Sequence, residues 1–199
     1  MDIFLNQHSI VHTAAVSDGE GEWFLTDQIV KGLSEEQLRT CPRPGMNSIV
    51  WLLWHTARTE DVTMNLLVAE RPQVLDDEWL TRLGLTRRDI GTAMTDDEVA
   101  DVSQKVDIPA LFAYREAVGR RTREIAQAIS PEELDIIIDE AHIKTLTDAG
   151  ALSEEAHRVA RFWHGKTKRF LFNMPASGHQ FMHLSEALTT RRLLESSLV

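Results

Sequence analysis

Hydrophobic positions recur at helical spacing along much of this sequence, and they predict four main helices. The second is the clearest, since residues 49–67 contain no glycine or proline and Asn47 or Ser48 can cap the start. Its apolar residues recur at intervals of three and four, as expected for a helix with a buried face. His55 falls on this face, so the pattern directs its side chain towards the interior.

The other main helices are predicted at about 18–31, 108–129 and 177–196. Gly32 follows the first of them as a stop signal. Pro109 stands in the first turn of the third, where a missing backbone N–H costs nothing. A further helix is predicted from 153 to about 172, before a proline that ends or kinks it.

A long polar connection, residues 71–106, separates the second and third helices. It contains two short helical pieces, one around Trp79 and one capped by Thr95 with Glu98 at the capping-box position. A connection of this length crosses the body of a domain rather than forming a hairpin. Residues 135–152 allow no single assignment. The pattern therefore predicts an all-α helix bundle with short extra helices, in a single domain of residues 1–199 with 1–16 as an N-terminal extension.

Composition excludes several classes of function. The formal charge is 21 − 31 = −10, which is unfavourable for binding a phosphate backbone. The longest apolar stretch, residues 49–54, is too short to cross a bilayer, and the first residues lack the basic start of a signal peptide. The single cysteine, Cys41, excludes an internal disulfide and suits a reducing compartment. We therefore expect a cytoplasmic protein that binds neither nucleic acid nor membranes.

Histidines carry the candidate chemistry. His179 and His183 are four residues apart, so both emerge from one helix face, about 6 Å apart at Cβ. Two such rings can share one divalent ion, and Glu186, one turn further on, can accept a ring N–H. A second pair with this spacing, His8 and His12, has no carboxylate near it in sequence. We interpret that second pair as incidental, because chance supplies such pairs in a chain with eight histidines.

Other residues have structural interpretations. Spacing alone favours His55 as a core histidine whose N–H meets a backbone carbonyl. Three further histidines lack partners at ligand spacing and are assigned to surfaces or loops: His142, His157 and His164. Three tryptophans are expected in the core or in a pocket wall: Trp51, Trp54 and Trp163. The sequence contains no GxSxG, GxxxxGK[ST], GxGxxG or HExxH motif, which removes the reactions that depend on them.

Two segments resemble a known family. Residues 43–61, RPGMNSIVWLLWHTARTED, closely resemble the second helix of DinB-like proteins, in which a proline-rich loop leads into an apolar stretch ending in histidine. Residues 178–187, GHQFMHLSEA, resemble the last helix of that family, with its HxxxH. The stretches before residue 38 and from 111 to 134 are also similar. The resemblance thus covers most of the chain from about residue 17.

This resemblance implies a four-helix bundle in up-down-down-up order, with a metal site formed by His55, His179 and His183. It implies a divalent ion, most readily Zn or Ni, and a small-molecule substrate. Family activities include S-transferases and isomerases that use low-molecular-weight thiols such as bacillithiol or mycothiol, and a hydrolase is a further expectation. A homodimer is also implied. The alternative is a non-catalytic helical interaction or stress-associated module with a structural metal or none.

Overall fold

The computed structural model describes residues 1–19 and 23–196, and the regular structure of this part is helical. The helices are α1 (Asp2–Val11), α2 (Leu25–Val30), α3 (Glu35–Arg39), α4 (Ile49–Asp61), α5 (Asp77–Leu83), α6 (Asp96–Lys105), α7 (Ile108–Ala128), α8 (Glu140–Asp148), α9 (His157–Trp163), α10 (Lys168–Asn173) and α11 (His179–Ser196). Two π-helical segments, Val62–Val68 and Met174–Gly178, continue α4 and precede α11. Short 3-10 turns occupy Ala14–Ser17, Glu133–Asp135 and Glu154–Ala156. The predicted all-α class is confirmed.

Helix α4 is the centre of the bundle, and every residue from Ile49 to Asp61 is buried. It packs against α7 and α11. Helix α1, at the N-terminus of the chain, also packs against α7 and α11. Ser48 caps α4, as the sequence predicts, by accepting a hydrogen bond of 3.0 Å from the Trp51 backbone N–H. Within the described residues, no helix is long and apolar enough to cross a bilayer.

The crossover between α4 and α7 contains α5 and α6 where short helices are predicted. Thr95 and Glu98 form the expected capping box at the start of α6, with both reciprocal hydrogen bonds present. Asp107 then caps α7 through the Ala110 N–H at 2.8 Å, with Pro109 in the first turn. The crossover therefore delivers the chain across the bundle and brings residues 90–94 beside α4.

The first predicted helix, from about Asp18 to Lys31, is wrong in its extent. The observed α2 has only six residues, because Asp18 and Gly19 take positive φ angles of 53° and 82° that a right-handed helix cannot hold. Residues 20–22 of this prediction lie outside the described residues. The predicted N-terminal extension, residues 1–16, contains α1, and Phe4 and Val11 on it are buried.

The helix predicted from 153 to about 172 is also corrected, since it is two helices. Gly165, with φ of 76°, interrupts them, and residues 136–138 pair there with residues 165–168 around the isolated bridge between Ile137 and Thr167. Helix α10 ends at Asn173, just before Pro175, which agrees with the predicted end or kink at this proline. Because proline lacks an N–H, the chain passes this point as the π-helical segment Met174–Gly178 and continues directly into α11.

Candidate metal centre

Three histidines from two helices meet at one end of a cavity. His55 lies on α4, and His179 and His183 lie one turn apart on α11. The Nε2 atoms of His55 and His179 are 3.2 Å apart, and one nitrogen from each of the three rings lies within 4.8 Å of the others. The packing of α4 against α11 thus brings together the residues that the family resemblance pairs.

Two of the three ring nitrogens that face away from the cluster have partners, whereas the Nδ1 atom of His179 is buried without one among the described residues. The Nδ1 atom of His55 lies 2.5 Å from the carbonyl oxygen of Ile90, and that of His183 lies 3.0 Å from Glu186 Oε2. Since a carbonyl or carboxylate oxygen accepts, each Nδ1 carries the proton and each Nε2 keeps its lone pair. The core-histidine interpretation of His55 is correct about the backbone carbonyl, yet that bond also leaves Nε2 directed into the cluster, where it faces Nε2 of His179 at 3.2 Å.

Glu186 joins the two helices at this point. It accepts from His183 and, at 2.8 Å, from the side-chain amide of Asn47, which directly precedes the cap of α4. Burial raises the pKa of the Glu186 carboxyl, but these two hydrogen bonds outweigh it and the pKa lies below its ordinary value. The group therefore stays ionised and holds the ring of His183 in one orientation.

Burial keeps two of the rings uncharged. It lowers the pKa of His55 to about 4, and the neighbouring His183 adds to this effect. It lowers the pKa of His179 to about 2, with His55 and His183 as further causes. Neutral imidazole is the form that binds metal. Ring nitrogens that point at one another in a buried space repel through their lone pairs, and a bound cation removes this repulsion. The donor set therefore fits a divalent metal ion.

A cavity of about 400 Å³ adjoins the three histidines. Trp51 forms one wall and stacks on the His55 ring, with centroids 4.8 Å apart and planes 8° from parallel. Trp163 and Phe162, from α9, line the cavity too, so the segment after α7 contributes to it. Trp54 does not line it: this side chain is fully buried in the core, where its ring lies against Gly91.

A second polar cluster, not predicted from the sequence, contains His8 and His12, and the interpretation of this pair as incidental is wrong. Both side chains are fully buried on and just after α1, and their Nε2 atoms lie 2.7 and 2.9 Å from the two oxygens of Glu60. Gln180 of α11 also donates to Glu60, at 2.6 Å. The carboxylate comes from the end of α4, about fifty positions away, so local spacing could not reveal it.

The chemistry of this second cluster differs from that of the three-histidine group. Here a carboxylate accepts from both Nε2–H groups, and the Nδ1 atoms of His8 and His12 have no partner among the described residues. Rings that both gave Nε2 to a metal would carry two buried, unpaired Nδ1–H groups, whereas in the three-histidine group only the Nδ1 of His179 has no partner among the described residues. Burial lowers the pKa of His12 to about 3, so this ring is neutral. The geometry is that of a hydrogen-bonded cluster that ties α1 and α11 to α4.

A third buried network fixes the crossover. Arg58 donates to Asp61 at 2.9 Å and to Tyr114 at 2.7 Å, and the Tyr114 hydroxyl donates to Asp61 at 2.5 Å. Asp61 also accepts from the backbone N–H groups of Val74 and Leu75. These contacts explain why the second half of α4 is polar although it is fully buried.

The remaining candidates lie away from the cavity. His157 and His164 are exposed, as predicted, whereas His142 is partly buried at the start of α8, where it contacts Asp139 and Glu70. The Cys41 thiol is half-buried, and burial raises its pKa, which makes it less reactive. None of these side chains is placed to join the three-histidine cluster.

Comparison with known proteins relates this chain to a family and to a protein of known structure. The model of the DinB superfamily matches residues 20–165, a range that includes His55 and ends before α11. A conserved protein from Enterococcus faecalis, known from its crystal structure, superposes with a TM-score of 0.66 at 20% identity, over 98% of this chain and 96% of that one. At that identity the likeness concerns the fold. Among curated protein sequences there is no match.

Proposed function

Because this chain belongs to the DinB superfamily, we propose that it is a divalent-metal-dependent enzyme in which His55, His179 and His183 hold the ion. The observation that supports this most strongly is the orientation of the rings. Ile90 and Glu186 take the Nδ1–H groups of two of them, so that Nε2 lone pairs are left inside the cluster. Zn and Ni suit imidazole ligands of this kind.

The residues around the cluster support a catalytic rather than a closed structural site. Three histidines leave a coordination position open, and the cavity beside them has room for a substrate. A divalent ion held in this way supplies Lewis acidity that lowers the pKa of a thiol or of water. We propose that the group activated by the metal is a low-molecular-weight thiol and that the reaction is an S-transfer or an isomerisation.

Each of the chain's own groups has a defined part in this proposal. Ile90 and Glu186 orient the rings, Trp51 covers one face of His55, and Asn47 holds Glu186 in place. Cytoplasmic location and a homodimer are further parts of the proposal, and hydrolysis is the alternative reaction type.

Metal content tests the proposal directly. Protein purified without a histidine tag and incubated with Zn²⁺ or Ni²⁺ is expected to retain about one ion per chain after dialysis, as three-ligand sites do. The His55→Ala and His183→Ala variants are expected to retain far less. His164→Ala, which changes an exposed histidine, is the matched control and should bind like the wild type.

The contrary result is equally clear. A wild type that retains no ion, and whose thermal melting does not respond to a chelator, would contradict the metal-dependent function. It would favour the non-catalytic interaction module instead. If metal binds, turnover with thiols and model electrophiles in the presence and absence of chelator then distinguishes S-transfer from a structural metal.

A further inference from the structure

The wall of the cavity beside the three histidines carries no formal charge. Of the described residues that line it, none is lysine, arginine, aspartate or glutamate. The wall is mainly apolar and aromatic, with Trp51, Met94, Phe162, Trp163 and Met174 among its members. Away from the ion held by the three histidines, a charged group of a ligand would therefore lose its hydration in this cavity without gaining a charged side chain as a partner, which is costly.

Thr59 differs from the other threonines of its helical stretch. Thr56 donates its hydroxyl to the carbonyl of Leu52 at 2.8 Å, and Thr63 donates to that of Thr59 at 2.8 Å, the usual bond to the preceding turn. The Thr59 hydroxyl makes no such bond and has no partner among the described residues, although the side chain is only 3% exposed. An unpaired buried hydroxyl is unfavourable, and a ligand can relieve it.

The position of Thr59 connects this hydroxyl to the site. The residue lies one turn after His55 on the same face of α4 and lines the cavity. In the conformation described the oxygen is enclosed, so a ligand atom would reach it after a rotation about χ1. Threonine in a helix has two accessible χ1 rotamers, which makes this rotation easy.

We propose that the cavity binds a neutral, mainly apolar small molecule that carries a thiol and, within reach of Thr59, an uncharged oxygen acceptor such as a ketone or amide carbonyl. This inference rests on the proposed metal function, because the three histidines define the end of the cavity at which the thiol binds. Thr59 is then a specificity-determining residue, and the aromatic wall contributed by α4 and α9 receives the apolar part of the molecule.

Three related thiols test the inference. The first is 2-phenylethanethiol, the second is its ketone analogue 2-mercapto-1-phenylethanone, and the third is 4-(2-mercaptoethyl)benzoate, which adds a carboxylate. Binding to zinc-loaded protein is measured by titration calorimetry. We expect the benzoate to bind at least roughly tenfold more weakly than the first thiol, because its charge is left without a partner in the cavity.

Variants of Thr59 test the hydrogen bond. Thr59→Val, which removes the hydroxyl at constant size, is expected to weaken the ketone roughly three- to tenfold relative to 2-phenylethanethiol, the usual effect of one hydrogen bond. Thr59→Ser keeps a hydroxyl and should retain the preference. Thr63→Val, a fully buried threonine of the same stretch outside the cavity lining, is the matched control and should leave it unchanged.

The outcomes separate this inference from the function on which it rests. If the protein holds zinc but binds the benzoate as tightly as the uncharged thiol, or if Thr59→Val weakens both neutral thiols equally, the inference is overturned and the metal site stands. If the wild type holds no zinc, both fail. Because the ketone is judged by a ratio between variants, differences in thiol acidity cancel.

Discussion

Replacing Glu60 with glutamine keeps the size of a buried side chain but changes what it can accept. The carboxylate receives hydrogen bonds from His8 at 2.7 Å, His12 at 2.9 Å and Gln180 at 2.6 Å. A glutamine offers one accepting oxygen and one donating amide. Whichever way the amide is turned, at least one N–H of the variant faces another N–H.

The magnitude follows from these contacts. In the better orientation the amide nitrogen faces His8, and one charge-assisted hydrogen bond, worth about 1.5–3 kcal/mol, is lost. Moving the His8 proton to Nδ1 would not avoid the loss, because that N–H would then be buried without a partner among the described residues. The two remaining bonds also lose their charge assistance, and the nearby Arg115 loses the carboxylate that attracts it. We expect a total of about 3–5 kcal/mol, the usual cost of breaking a buried ionic group.

Urea unfolding at pH 7.5 measures this loss, with chelator present so that metal binding does not contribute. Glu116→Gln is the control, since this partly exposed glutamate pairs with Arg120 near the surface and its change should stay within about 0.5 kcal/mol. A loss below about 1 kcal/mol for Glu60→Gln would refute the role of the carboxylate as the buried acceptor for three donors.

Three further changes have defined outcomes, each measured by urea unfolding. Gly91→Ala should cost about 1–3 kcal/mol, because φ is 79° and the new Cβ would lie 2.5 Å from the Trp54 ring; an unchanged midpoint would contradict this close approach. Tyr114→Phe should cost about 2 kcal/mol by leaving Asp61 and its network short of one donor, and a neutral effect would show that the network tolerates the loss. Without metal, stability should be constant well above pH 6.5 and fall as the pH drops from about 6.5 towards about 3. The reason is that burial lowers the pKa of His12 to about 3, so the unfolded chain takes up a proton that the folded chain does not; the loss is about 1 kcal/mol between pH 6.5 and 5.5 for each such histidine, and a flat profile would contradict it.

The helices that sequence reasoning located are those with strong local signals. Helix α4 has a cap at Ser48 and an uninterrupted apolar face, and α7 has both Asp107 and Pro109 at its start. The first helix is predicted to start too early, because the spacing of apolar residues contains no information about the positive φ angles at Asp18 and Gly19. The break at Gly165 depends on pairing with residues 136–138, which is a tertiary contact that periodicity cannot register.

The two polar clusters illustrate the same limit. His179 and His183 share a helix, so spacing brings them together, whereas His55 required the family resemblance. The contact between Glu60 and His8 is not predictable from spacing, because it depends on how α1 packs against the end of α4. The sequence contains one signal of this contact. Helix α4 is predicted to be buried, yet its second half is polar. Buried charged residues require partners, and His8 and His12 were available.

An anomalous diffraction measurement tests the central claim most directly. Crystals grown with zinc and measured at the zinc absorption edge are expected to show one peak bounded by His55, His179 and His183, with Zn–N distances of about 2.0–2.1 Å. No peak is expected beside Glu60, where the carboxylate already receives the two Nε2–H groups. A map without a peak at the three histidines, or with the ion between His8 and His12 instead, would contradict the assignment.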